Sequence, residues 1–150
     1  MDPVNFYSVG DDFGQLSNFA PFPINLDGER WPTSEHYFQA QKFDDPAYRL
    51  KIRKANSPMI AATLGRDRKQ KIRRDWESAK VGIMSFAVLA KFTQHEELRV
   101  LLLSTGDAEI VEHTENDAFW GDGGDGGGEN MLGQILMRVR ASLRAAATAD

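Results

Sequence analysis

The chain has 150 residues, 18 Lys and Arg against 22 Asp and Glu, a formal net charge of −4, and no cysteine. That length suits one domain spanning residues 1–150, and the lack of cysteine excludes disulfides, a thiol nucleophile and a thiolate metal site. No window nears the roughly 18 apolar residues of a membrane span. The Met1-Asp-Pro-Val-Asn5 start carries no signal-peptide pattern, and an acidic balance disfavours general affinity for nucleic acid. A cytoplasmic protein without membrane contact is the expectation.

In chain order, residues 4–9 predict a short strand, followed by a loop from Asp11 to Pro21 that holds Gly14, Asn18 and Phe19. Phe22 to Leu26 and Glu29 to Trp31 flank Asp27-Gly28, a strong hairpin signal because a primed turn needs positive φ. Pro32-Thr33-Ser34 offers capping hydroxyls for a helix over Glu35–Phe43. Asp44-Asp45-Pro46 starts the next helix, with Tyr48, Leu50 and Ile52 as its apolar positions, and Ser57-Pro58 starts another over Met59–Leu64, closed by Gly65 in the left-handed conformation. A long helix over about Asp75–Thr93 is expected to bury Trp76, Ile83, Phe86, Val88 or Leu89, and Phe92. Glu96–Ser104 forms a helix ended by Gly106, Glu109–His113 a strand, and Met131 to about Ala146 a final helix, with 146–150 as a frayed tail. The sum is an α+β fold, mainly helical, with about six or seven helices and a small antiparallel hairpin or sheet.

The chemistry concentrates in three places. On a continuous helix, Glu35, Gln39 and Lys42 fall on one stripe, within roughly 40° of each other, and Glu35 and Lys42 stand about 10 Å apart along the axis. Interleaved with Trp31, Tyr37, Phe38 and Phe43, that stripe fits a pocket wall, although a solvated face also carries Glu and Lys. Glu suits general acid/base work and a partly desolvated Lys suits attack on a carbonyl-like carbon. Second, residues 121–128 contain six glycines and run into a helix N-terminus, flanked by Asp117, Trp120 and Asp122. A flexible surface loop is the plain alternative to an anion site with a stacking ring. Third, the basic run from Arg66 to Arg74 leads into Trp76, which fits a core position as well as a ligand platform. His36, His95 and His113 lack metal-ligand spacing, and there is no P-loop, nucleophile elbow or dinucleotide fingerprint. Neither a metal nor a redox cofactor is expected.

Phe6-Tyr-Ser8, Leu16-Ser-Asn-Phe19, Trp31 through Phe43, Arg74-Asp-Trp76, Lys91-Phe92, Trp120-Gly-Asp122 and Asn130-Met-Leu-Gly133 occur in this order. Together, over about residues 5 to 145, they resemble the NADAR family and, within it, the bacterial glycosidases of riboflavin biosynthesis intermediates. The resemblance implies hydrolysis of the C–N bond between ribose 5-phosphate and the amine of a ribosylamino-pyrimidine phosphate. By the same resemblance, Glu35, Trp76 and Asp117 match catalytic positions, and Lys42 matches a lysine that forms a Schiff base with the sugar C1. Asn18, Phe19, Gln39, Trp120, Gly121 and Asp122 are then the expected substrate-binding residues, with Asn18 and Gln39 toward ribose hydroxyls and a tryptophan stacked on the base. The partner is a small ribosylamine phosphate. The alternatives are an ADP-ribosyl glycohydrolase acting on ADP-ribosylated guanine in DNA, and a non-catalytic module that binds ADP-ribose or a nucleotide.

Overall fold

Asp27 and Gly28 both take positive φ, 56° and 78°, and turn β2 (Ile24–Leu26) back onto β3 (Glu29–Trp31) as an antiparallel pair in the register Leu26↔Glu29 and Ile24↔Trp31. This is the hairpin that the Asp-Gly pair predicts, here in the computed structural model, which describes residues 1–148. Its contacts fall into two compact units, Pro21–Lys91 and Met1–Ala20 with the chain from Phe92 onward. Each unit is taken in turn.

In the first of these, Ile24, Leu26 and Trp31 face inward while Asn25, Glu29 and Arg30 face water, the alternation of a half-buried hairpin. Helix α1 (Ser34–Ala40) begins at Thr33, whose hydroxyl accepts the His36 N–H, and every residue in it is buried. It ends three residues earlier than the sequence suggests. Gln41 serves as C-cap, and Lys42 and Phe43 bond back to the Gln39 and Ala40 carbonyls in tighter i→i−3 fashion. Pro46 explains the stop: it disfavours helical backbone at Asp45, which instead caps α2 (Pro46–Arg53) by accepting the Ala47 N–H. Ser57 caps α3 (Pro58–Gly65) the same way, through Ile60. Trp31, Tyr37, Phe43, Tyr48, Ile52 and Ala61 pack with the hairpin into the core of this unit.

Helix α4 (Trp76–Gln94) buries Trp76, Val88 and Phe92 as expected, but not Phe86. Met84, Ala87, Val88, Lys91 and Phe92 are inside, whereas Phe86 and Leu89 are 51% and 39% exposed. The small Ala87 and Ala90 belong to the core cluster, and Lys91 occupies an inward position. Gly65 also departs from expectation: it is the last helical residue of α3, followed by Arg66 at φ −95°, not a left-handed cap.

In the second unit, β1 (Val4–Phe6) pairs in parallel with β4 (Ile110–Glu112), in the register Val4↔Ile110. Helix α5 (Glu96–Ser104) precedes the left-handed Gly106. Helix α6 (Met131–Thr148) packs on β4 and α5 and runs past the expected end at Ala146; residues 149 and 150 of the expected tail lie outside the described residues. Arg140, buried on α6, donates to Thr105 Oγ1 and the Ala108 carbonyl at 2.8 Å each. The class is the expected one: six α-helices among the described residues, the antiparallel hairpin and one parallel strand pair.

Candidate active site

Within Pro21–Lys91 the structure brings Glu35, Gln39, Lys42 and Trp76 together. Glu35 lies in the first turn of α1 and is 9% exposed. One turn on, Gln39 donates through Nε2 to Glu35 Oε1 at 2.8 Å, the i,i+4 geometry that the sequence spacing gives. Helix α1 is itself pinned by His36, whose Nε2 lies 3.0 Å from the Ala55 carbonyl and whose Nδ1 lies 2.8 Å from Thr33 Oγ1. Burial lowers the pKa of His36, and a neutral ring that donates from Nε2 and accepts at Nδ1 satisfies both contacts.

Lys42 stands beyond the end of α1, in the turn, so the three-residue helical stripe is broken after Gln39. What places it is a backbone bond from the Arg73 N–H to the Lys42 carbonyl, 2.8 Å, a contact that also sets Trp76 beside it. Lys42 Nζ is 6.0 Å from the Trp76 ring centroid and donates to the Gly65 carbonyl at 2.7 Å. Burial, then the Arg66 charge, pull the pKa of Lys42 below its ordinary value, while Glu35 and Glu77 push the other way. The amine is thereby biased toward the neutral, nucleophilic form. Trp76 is buried and tilts against Phe38, with ring centroids 5.0 Å apart. It is a core residue and lies beside the Lys42 amine.

The remaining expected residues belong to the other unit. Asn18 is buried and Phe19 half-buried, just after a 3-10 turn at Gly14–Leu16. Asp117 Oδ1 accepts the N–H groups of Phe119 and Trp120 at 2.9 and 2.8 Å, a turn that presents Trp120 edge-on to Phe119 and leaves Oδ2 outside that bonding. Gly121 has no room for a side chain, since a Cβ would meet Thr114 Cγ2 at 2.7 Å and the Asp117 carbonyl at 2.8 Å. Asp122 is buried, and both of its oxygens are engaged: Oδ1 by the Thr114 and Gly124 N–H groups, Oδ2 by His113 Nδ1 at 2.7 Å. Burial opposes its charge, but the donors from His113, Gly124 and Thr114 outweigh it and hold the carboxyl below its ordinary pKa.

The N-terminus of α6 is not the open anion site that the glycine run suggests. The Met131 and Leu132 N–H groups bond to the Phe119 and Trp120 carbonyls at 2.9 and 3.1 Å, and Glu129 and Asn130 bond to Ala118 and Gly121. A cavity of about 620 Å³ does open beside the loop, lined by Glu109, His113, Asp122, Asp125 and Glu129 among others. Its carboxylates make it unsuited to phosphate, and none of Glu35, Lys42 or Trp76 lines it. Among the described residues no three His, Asp or Glu are grouped to hold a metal ion.

Two residues of note carried no functional signal in the sequence. Gly65 supports both Gln39 and Lys42, and its signal resembled a helix stop. Lys91 is fully buried, with Nζ 5.9 Å from the Phe22 ring centroid and a pKa pulled down to about 7 by burial.

A helical α+β domain with a buried Glu–Gln pair and a desolvated lysine against a tryptophan matches a known family. The NADAR domain profile fits residues 5–144, across both units, and the chain belongs to that family. It is 60% identical over 140 residues to the N-glycosidase YbiA of Escherichia coli strain K12, covering 93% of this chain and 88% of that protein. It is 48% identical over 142 residues to the riboflavin biosynthesis protein VVA0006 of Vibrio vulnificus strain YJ016, covering 95% of this chain and 39% of that longer protein. Its fold is similar to the NMR structure of the E. coli protein YbiA, with a TM-score of 0.92 and 56% identity over 99% of this chain and 89% of the other.

Proposed function

We propose that this chain is an N-glycosidase that hydrolyses the C–N bond between ribose 5-phosphate and the amine of early riboflavin intermediates, as a single domain over residues 1–150. The names of the E. coli and V. vulnificus relatives support the reaction type and the pathway. The observation that carries the chemistry is the placement of Lys42, held by the Gly65 carbonyl and set against Trp76, beside the buried Glu35–Gln39 pair, where burial lowers the lysine pKa.

A ribosylamine opens to an imine, and the electrophilic C1 then accepts the lone pair of Lys42. Glu35 relays to the departing nitrogen the two protons that Lys42 gives up, one from its ammonium before attack and one from Nζ after it, and the C–N bond breaks to leave an iminium between C1 and Nζ. Water adds to C1, a carboxylate takes its proton, and expulsion of Lys42 releases ribose 5-phosphate. Trp76 faces the cationic intermediate and Gln39 holds Glu35. The family resemblance, and not a distance, assigns Asp117 as the further catalytic carboxylate and Asn18, Phe19, Trp120, Gly121 and Asp122 as substrate-binding residues. The net charge of −4 favours a small substrate over DNA. Among the described residues no helix is long and apolar enough to cross a membrane, and we place the protein in the cytoplasm with its substrate.

Purified protein should release ribose 5-phosphate from a ribosylamino-pyrimidine phosphate, and both Glu35→Gln and Lys42→Ala should abolish release while unfolding as cooperatively as the parent. Borohydride should fix a sugar on Lys42. Full turnover by Lys42→Ala would sink the covalent route, and turnover of ADP-ribosylated DNA alone would transfer the activity to nucleic acid.

A further inference from the structure

Gly65 ends α3, and its importance lies in what its missing side chain leaves room for. A Cβ there would stand 2.0 Å from Gln39 Oε1 and 2.7 Å from Gln39 Cδ. The Gln39 amide thus occupies the space a side chain at 65 would fill. That amide is buried, and among the described residues its Oε1 accepts no hydrogen bond. It is held by its Nε2 bond to Glu35, with Oε1 turned to the space beside Gly65. The Gly65 carbonyl, meanwhile, accepts from Lys42 Nζ at 2.7 Å. The adjacent Leu64 carbonyl takes the Tyr48 hydroxyl at 2.6 Å, which fixes this end of α3 in place.

We propose that Gly65 is a positioning residue for the glycosidase reaction, acting on both reactive side chains. This rests on Glu35 and Lys42 being the reacting groups. The absence of a side chain lets the Gln39 amide lie over residue 65 and hold the Glu35 carboxylate through its Oε1. As a neutral amine Lys42 has two N–H bonds and one lone pair. Giving one N–H to the Gly65 carbonyl restricts rotation about the Cε–Nζ bond and directs the lone pair away from α3. A methyl at 65 would push the amide aside and release Glu35, and moving the helix end would release Lys42 as well. A displacement of about 1 Å at such a site is enough to lower turnover on the order of a hundredfold.

The test is a double-mutant cycle on the intact protein. Gly65→Ala should lower kcat at least tenfold with KM changed less than threefold, and should move the pH profile of kcat. In a Gln39→Ala background the same substitution should lower kcat less than threefold, because the methyl then has room. Parent-like kcat in Gly65→Ala, or losses that simply multiply in the double variant, overturns the proposal. If Gly65→Ala alone does not fold, the double variant decides: folding with the kcat of Gln39→Ala supports it, and failure to fold overturns it. Glu35→Gln is assayed in parallel. Its full activity would remove the parent reading, whereas an inactive Glu35→Gln beside an active Gly65→Ala overturns only the role of Gly65.

Discussion

Lys42 and Trp76 are neighbours because the Arg73 N–H bonds to the Lys42 carbonyl, which leaves Nζ 6.0 Å from the indole centroid. The ring shields one side of the amine, and in the proposed covalent route its electron-rich face would meet the positive charge of the iminium. A cation–π contact of this kind contributes about 0.5–2 kcal/mol. Trp76→Ala should therefore reduce kcat roughly twofold to thirtyfold, and Trp76→Phe, which keeps an aromatic face, by less. Rates are compared well below the unfolding temperature, since truncating a buried tryptophan also removes about 3–5 kcal/mol of stability. Equal kcat in the two variants would limit the ring to packing.

Lys91 predicts a stability that rises with pH. Burial brings its folded-state pKa to about 7 from 10.5, so between those values the unfolded chain binds more protons than the folded one. Stability then increases from about pH 7 towards pH 10.5. His36 acts in the same sense at lower pH: its folded pKa is lowered from 6.5, so stability falls as the solution is acidified through 6.5. Urea unfolding from pH 6 to 9.5 should show the rise, and Lys91→Met should flatten it above pH 7. An unchanged slope in that variant would assign the effect to another group.

Asp122 ties the glycine loop to the end of β4 through three donors. Asp122→Ala strands the two backbone N–H groups and should lower stability by about 2–4 kcal/mol. His113 is half-exposed at 53% of its side chain, so His113→Gln should change it by less than about 1 kcal/mol. Chemical denaturation of the pair measures this difference; similar losses would mean that the ion pair, not the backbone donors, dominates.

Asn130 takes positive φ, 49°, and spends both ends of its amide on β4: Oδ1 accepts the Glu112 N–H at 3.0 Å and Nδ2 donates to the Ile110 carbonyl at 2.9 Å. Asn130→Asp keeps the acceptor but sets an oxygen against the Ile110 carbonyl. It should destabilise as much as Asn130→Ala, about 1–3 kcal/mol, and a near-parental Asp variant would discount the bond to Ile110.

Local chemistry was what the sequence made legible. Asp27-Gly28 specified a primed turn, Thr33, Asp45 and Ser57 announced their helices, and Glu35 with Gln39 sat at the i,i+4 spacing that makes their bond. The departures came from partners distant in sequence. Lys42 left the helix because Pro46 ends it and Arg73, thirty-one residues on, captures its carbonyl. Gly65 read as a helix stop because a helix-terminal glycine signals backbone freedom, and nothing local reveals a glutamine lying against it. Lys91 was absent from the positions expected to be buried on the long helix, yet its side chain is almost entirely enclosed.

The carbonyls of residues 118–121 hold the first amides of α6, and this bears on how the loop moves. Six glycines in eight residues suggest a segment that samples many shapes. Opening it, however, uncaps an eighteen-residue helix, so loop and helix must open as one cooperative unit. In deuterated solvent the amides of Glu129 to Leu132 should exchange at the slow rate of the α6 interior, and the glycines bonded into the loop should follow them. The segment with the loosest composition is then among the last parts of its unit to open.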